Sequence, residues 1–232
     1  MAVETGPPEG ASAAELDQLR RRVLNVVGHE LRTPATTIRG LAESLAKADD
    51  RSARETIVPS IVRNARRLEG LLDDLLVAAQ IETALPVGAP EKVDVGALAW
   101  AEWGGGEDLE IDAEQPGPLA AIMRESLRRV LRHVFDNARR YGRPPTALHL
   151  RSDDRTVTLL ISSPGEDLHP EELRLAVEPF FRGERAVMET PGIGLGLAVS
   201  RALVEQAGGT LRLERREGGG TATRIELPKA AG

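Results

Sequence analysis

Leu24-Asn25-Val26-Val27-Gly28-His29-Glu30-Leu31-Arg32-Thr33-Pro34 opens a run whose apolar residues fall at Leu24, Val27, Leu31, Ile38, Leu41 and Leu45, with Pro34 filling the one missing seam position. Steps of three and four make this a heptad seam on a helix. With Leu24 and Leu31 at position a and Val27 at d, His29 falls at f and Thr33 at c. Both then face water, one turn apart on the same side of the helix. An imidazole in that place is reachable from outside, which separates it from a histidine satisfied in a core.

The pattern extends in both directions. Residues 13 to about 47 read as one long helix, and Ala48-Asp49-Asp50-Arg51-Ser52 supplies a short polar break. A second long helix follows, its seam carried by Ile57, Ile61, Leu68, Leu71, Leu75 and Ala78, with Asn64 at one seam position. Two helices joined by a short turn form an antiparallel hairpin. One hairpin cannot cover both seams, so pairing with a second copy is expected, giving a homodimeric four-helix bundle. Asn64 either sets the register of that bundle or is simply tolerated there.

Thr83-Ala84-Leu85-Pro86-Val87-Gly88-Ala89-Pro90 breaks the periodicity and reads as a linker. Beyond it, short β-like runs at 109–111, 147–150, 156–162, 209–214 and 223–227 mix with helices near 122–141 and 194–207. That mixture predicts an α+β sandwich with helices on one face of a mixed sheet. The expected organisation is a disordered segment over 1–12, a helical hairpin over 13–82, a linker over 83–92 and a second domain over 93–232.

Composition narrows the function. The chain has 232 residues, 41% of them hydrophobic, which suffices for ordinary globular cores. No apolar run approaches the roughly 20 residues that span a bilayer, and the start MAVETGPPEGAS lacks the basic and apolar regions of an export signal. A cytoplasmic chain, or the cytoplasmic portion of a longer sensor, is expected. The absence of cysteine excludes disulfides, thiolate metal sites and thiol nucleophiles. A net charge of −6 argues against a dedicated nucleic-acid binder.

Chemistry concentrates at three further places. On the helix near 122–141, Leu127, Val130, Leu131, Val134, Phe135 and Ala138 form an apolar face, while His133, Asn137 and Arg140 run down another line in steps of four and three. Those three can converge on one ligand, and the Asn137 carbonyl is a hard oxygen donor suited to Mg²⁺. A solvated polar face is the alternative. In Pro191-Gly192-Ile193-Gly194-Leu195-Gly196-Leu197 three glycines alternate just before an apolar helix. Backbone amides there can meet phosphate oxygens without side chains in the way, the pattern of a nucleotide-binding loop. Its order matches neither a dinucleotide fingerprint nor a P-loop. Upstream, Glu178-Pro179-Phe180-Phe181-Arg182-Gly183-Glu184 places two of the three phenylalanines beside an arginine, suiting a mobile lid with an apolar anchor or a loop docked into the core.

Taken together these residues resemble the sensor histidine kinases of two-component signalling. Residues 29–34 resemble the family's H box, 133–141 the N box, 163–168 a G1 box, 178–182 the F box and 192–197 the G2 box, in the same order and spacing. The resemblance implies a dimerisation and histidine-phosphotransfer hairpin followed by a catalytic domain of the ATPase fold shared with gyrase, Hsp90 and MutL. It implies ATP and Mg²⁺ as ligands, His29, Glu30 and Thr33 as catalytic residues, and Asn137 at the metal. By the same resemblance His133, Asn137, Arg140, Tyr141, Ser163, Gly165, Phe181, Arg182, Gly192, Gly194, Gly196 and Leu197 would hold the nucleotide. A response-regulator receiver domain would accept the phosphoryl group, and an upstream sensor would supply the signal.

The match departs from the family where D-x-G-x-G is usual, because Ser163 stands in place of the aspartate and Asp167 in place of the second glycine. The missing carboxylate predicts weaker adenine binding, and the added one a charge near the nucleotide. His133 also stands where an asparagine is common, and Thr223 where the last strand often carries an aromatic. A degenerate kinase that serves as a dimeric scaffold or phosphatase is the alternative function. A plain coiled-coil interaction protein explains the seam but neither the glycines nor the exposed H-E-x-x-T.

Overall fold

The computed structural model describes residues 13–47, 51–80, 88–104, 108–113, 117–183 and 193–231. The chain divides into two compact units, Met1–Leu72 and Asp73–Gly232. The expected disordered start and residues 83–87 of the expected linker lie outside the described residues, and the linker ends earlier than expected, because Glu91 and Lys92 already pair in the first strand of the second unit.

The first unit is built from α1 (Ala13–Lys47) and most of α2 (Arg51–Gln80), whose last residues group with the second unit. Helix α2 begins at Arg51, inside the stretch expected as a polar break. Leu31, Ile38, Leu41 and Leu45 on α1 are all half-buried, as are Ile57, Ile61, Asn64, Leu68 and Leu71 on α2. Asn64 donates its side-chain amide to the Ser60 carbonyl at 2.8 Å, so its polarity is satisfied within its own helix. Pro34 lies in the interior of α1 and is buried. A proline there removes one helical hydrogen bond, at a cost of about 3 kcal/mol that packing must offset. The Thr33 hydroxyl donates to the His29 carbonyl at 3.1 Å and the Thr37 hydroxyl to the Thr33 carbonyl at 3.0 Å, back-bonds of the kind that bend a helix.

The second unit is the expected α+β sandwich. Strands β2 (Leu109–Ala113), β4 (Thr146–Ser152), β5 (Thr156–Ser163), β7 (Thr221–Pro228) and β6 (Thr210–Arg215) form one sheet in the order β2-β4-β5-β7-β6. Only β2 and β4 pair in parallel, so the sheet is mixed. Helices α4 (Arg124–Tyr141) and α6 (Gly196–Gln206) share one core with its inner face, where Leu148, Leu150, Val157, Leu159, Ile225 and Leu227 are essentially unexposed. Phe135 of α4 meets the edge of Trp103 with ring centroids 5.0 Å apart, and the Arg139 guanidinium stacks on the same indole at 4.0 Å.

Several small elements escape sequence reasoning. Strands β1 (Glu91–Asp94) and β3 (Leu119–Ile122) pair with each other and are four residues each, too short for a period of two to register. Helix α3 (Val95–Trp103) is apolar nearly all round, so it shows no stripe; Asp94 caps it, accepting from the Ala97 amide at 2.9 Å. Helix α5 (Pro170–Leu175) buries nothing and is held by a capping box between His169 and Glu172. The expected helix at 194–207 begins at Gly196, because Gly194 adopts φ +75° and cannot belong to it.

The tight connection between β4 and β5 yields a pH test. Asp153 accepts from the amides of Arg155 and Thr156, each at 2.8 Å, and these bonds hold its carboxyl below the usual aspartate range. The folded chain thus holds that proton less tightly than the unfolded one. The stabilisation is complete above the unfolded pKa and is lost as pH falls through the depressed folded value. Asp153→Ala is expected to melt below the parent at neutral pH and to converge with it in acid, as followed by thermal unfolding across that range.

Candidate functional site

On α1, His29 and Thr33 are exposed and Glu30 is buried, the arrangement that the heptad assignment demands. Neighbouring helical residues point about 100° apart, so an exposed His29 leaves Glu30 facing inward. The Glu30 carboxylate, with 9% of its side chain exposed, meets the Arg67 guanidinium of α2 at 3.4 Å. This ion pair crosses from one helix of the hairpin to the other. It is also where Glu30 places its charge in this structure; the sequence suggests no role for Arg67.

In the second unit, burial of the α4 apolar face turns His133 and Asn137 toward α6. The imidazole of His133 lies against the start of that helix: a Cβ added at Gly196 would sit 3.4 Å from His133 Cγ. Its Nδ1 is 3.3 Å from the Ser200 hydroxyl, which donates to the Gly196 carbonyl at 2.8 Å. Asn137 is half-buried and its side chain has no hydrogen-bond partner among the described residues, which leaves its carbonyl oxygen available to a cation. Arg140 and Tyr141 are exposed at the end of α4.

The glycine turn and the phenylalanine segment are one structure. The Phe180 amide donates to the Gly194 carbonyl at 2.9 Å, and Phe180 itself takes φ +64°, strained for a side chain of that size. A Cβ at Gly194 would come within 2.6 Å of the Phe181 carbonyl and 3.1 Å of Arg182 Cγ. The turn therefore needs glycine both for its positive φ and for this close approach. Phe181 and Arg182 are half-buried and Leu197 is 8% exposed, facing the core. Gly192 lies outside the described residues.

The departures in the G1 segment have local solutions. Ser163 is buried, its hydroxyl 3.0 Å from that of Thr146 on β4, and Gly165 bridges Gly142 at the end of α4. The Asp167 carboxylate accepts from the Gly220 amide at 3.0 Å and pairs with Arg215 at 3.3 Å. Its negative charge is thus engaged by the glycine turn before β7 and by Arg215. Thr146, Ser200 and Arg215 carry no sequence signal, since each acquires its role only from a partner distant in the chain.

An exposed histidine thus stands on a helical hairpin, and the α+β domain that follows carries a polar helix face and a glycine turn bonded to the phenylalanine segment. Residues 123–231 match the histidine kinase-, DNA gyrase B- and HSP90-like ATPase family, and residues 19–84 the His Kinase A phospho-acceptor domain. The chain is 30% identical over 235 residues to the sensor histidine kinase MtrB of Mycolicibacterium paratuberculosis, covering 94% of this chain and 41% of MtrB. A solved structure of the mycobacterial sensor histidine kinase MprB matches with a TM-score of 0.51 and 27% identity, covering 62% of this chain and 99% of that one. Full-length ShkA in complex with AMPPNP matches with a TM-score of 0.65 and 21% identity over 91% of this chain and 46% of that one, a likeness of fold. The chain belongs to the sensor histidine kinases of two-component systems, of which it has the kinase core. It spans less than half the length of its relative MtrB. Nothing in these comparisons favours a degenerate scaffold. Among the described residues no helix is long and apolar enough to cross a membrane.

Gly194→Ala tests the joined turn. It is expected to cost about 1–3 kcal/mol of stability, since it forces an alanine to positive φ against a backbone carbonyl. Chemical denaturation measures this, and an unchanged midpoint would show that the turn does not need glycine.

Proposed function

We propose that this chain transfers the γ-phosphoryl group of ATP to His29 and passes it on to an aspartate of a response-regulator receiver domain. The observation that carries the reading is the exposure of His29 on α1 while the polar residues of α4 and the glycine turn gather in a second unit. ShkA, which shares the fold, binds the ATP analogue AMPPNP.

The chemistry follows from the residues. A neutral ring nitrogen of His29 attacks the γ-phosphorus, the bond to the β,γ-bridging oxygen breaks, ADP leaves, and the ring proton goes to a base. Glu30 is the adjacent carboxylate, and to accept that proton it must exchange Arg67 for the imidazole. Backbone amides at 194–196, together with Arg140 and Arg182, stabilise the phosphate oxygens. Mg²⁺, held by Asn137 and the phosphates, would offset the charge of the transferring group; the Asn137 carbonyl, a hard oxygen donor without a partner among the described residues, fits that role. The Ser163 hydroxyl and Gly165 line the base end, and His133 and Tyr141 flank the nucleotide along α4. Thr33 orients water when the same helix removes phosphate from the regulator.

Attack requires the reacting atoms within about 3–3.5 Å of each other. The partner that covers the hairpin is a second copy of the chain. Val58 and Val62 are 44% and 40% exposed on α2 beside its half-buried seam, an apolar stripe that a four-helix bundle would bury. The signal reaches this core from an upstream sensor.

Incubation with Mg²⁺ and γ-labelled ATP should leave an acid-labile, base-stable phosphoryl group on the chain. His29→Gln should abolish it while nucleotide still binds, as read by calorimetry. Label retained in that variant would remove His29 from the mechanism.

A further inference from the structure

Asp74, near the end of α2, belongs to the same compact unit as the sheet and reaches an arginine and a histidine of α4. One carboxylate oxygen lies 3.1 Å from His133 Nε2; the other lies 3.1 Å from Arg129 Nε and 3.0 Å from its Nη2. The pair is sheltered, with 14% of each of the Asp74 and His133 side chains exposed and 22% of Arg129. Beyond the imidazole the line continues through Ser200, which is fully buried, to the Gly196 carbonyl at the mouth of the glycine turn. One imidazole and one hydroxyl thus separate a carboxylate on α2 from the first residue of α6.

We propose that Asp74 is a resident anion competing with the nucleotide phosphates for this side of α4, a positioning residue that holds the nucleotide site in a low-affinity state. The proposal rests on the kinase reading above. A triphosphate at the glycine turn carries several negative charges into a space bordered by a carboxylate, and it finds His133 and Arg129 already paired. Two costs follow: repulsion by Asp74, and the breaking of its bonds before either side chain can turn to a phosphate oxygen. An occupied Asp74 contact and a filled phosphate site are therefore alternatives. Because Asp74 sits on α2, nucleotide binding and release of the end of that helix become linked, and each must favour the other by the same factor. His133, expected from the sequence to bind nucleotide directly, becomes the switch between the two anions.

Calorimetric titration of the whole chain with Mg·ATP tests this, comparing the parent with Asp74→Asn, which keeps the shape and removes the charge, and with Asp74→Ser. Both variants are expected to bind about 3- to 10-fold more tightly at low salt, with the advantage shrinking as salt rises. A residue whose role is purely structural would weaken binding when replaced, so the direction of change is diagnostic. Hydrogen exchange near residues 74–80 should also rise in the parent on saturation with Mg·ATP, and be high in Asp74→Asn without it. Binding by the parent that both variants leave equal or weaker overturns the proposal alone. Absence of binding in parent and variants alike overturns the kinase reading and the proposal with it.

Discussion

Leu127, Val130, Leu131, Val134 and Phe135 are at most 1% exposed on α4, and burying that stripe leaves no choice about which way the rest of the helix faces. Each such side chain contributes roughly 1.5–3 kcal/mol when removed from water, so rotating the helix to present a different side would cost an amount comparable to the domain's whole stability. His133 and Asn137 are carried round toward α6 by this requirement. Gly194 then lets the backbone come close to the Phe181 carbonyl, and His133 packs in contact with the start of α6 at Gly196. The site is therefore a consequence of core packing, with its polar groups held on a rigid element.

The hairpin obeys the same logic with a different period. Its seam decides that His29 is outside and Glu30 inside, and the inward carboxylate must then find a partner. Arg67 supplies it from the facing helix, with its own side chain 42% exposed. A buried carboxylate left alone would be costly, and the half-exposed guanidinium offsets part of that cost. In the proposed transfer Glu30 must leave this pairing to reach its neighbour.

Much of this was readable along the chain. The seam, the G-x-G-x-G turn and the α4 stripe are local patterns, and strong amphipathic periods persist whatever the surrounding fold. What escaped was short, uniformly apolar or long-range. Strands of four residues carry too little alternation, α3 has no polar side to reveal its period, and the β2–β4 parallel pair joins segments far apart in sequence. At the site, Asp167 illustrates the limit: as a letter it is a charge where a glycine is usual, and in the fold it accepts from Gly220 and pairs with Arg215.

The residue order by itself determined which side chains could do chemistry and on which face of a helix or turn they stand, because helical period and glycine's conformational freedom are properties of a few consecutive residues. Only the tertiary structure decided their partners: Arg67 for Glu30, Thr146 for Ser163, Asp74 and Ser200 for His133. Charge and hydrogen bonding act through space over a few ångströms, and the sequence separations of these pairs, 37 residues for the first and 59 for Asp74 and His133, are bridged only once the cores have closed.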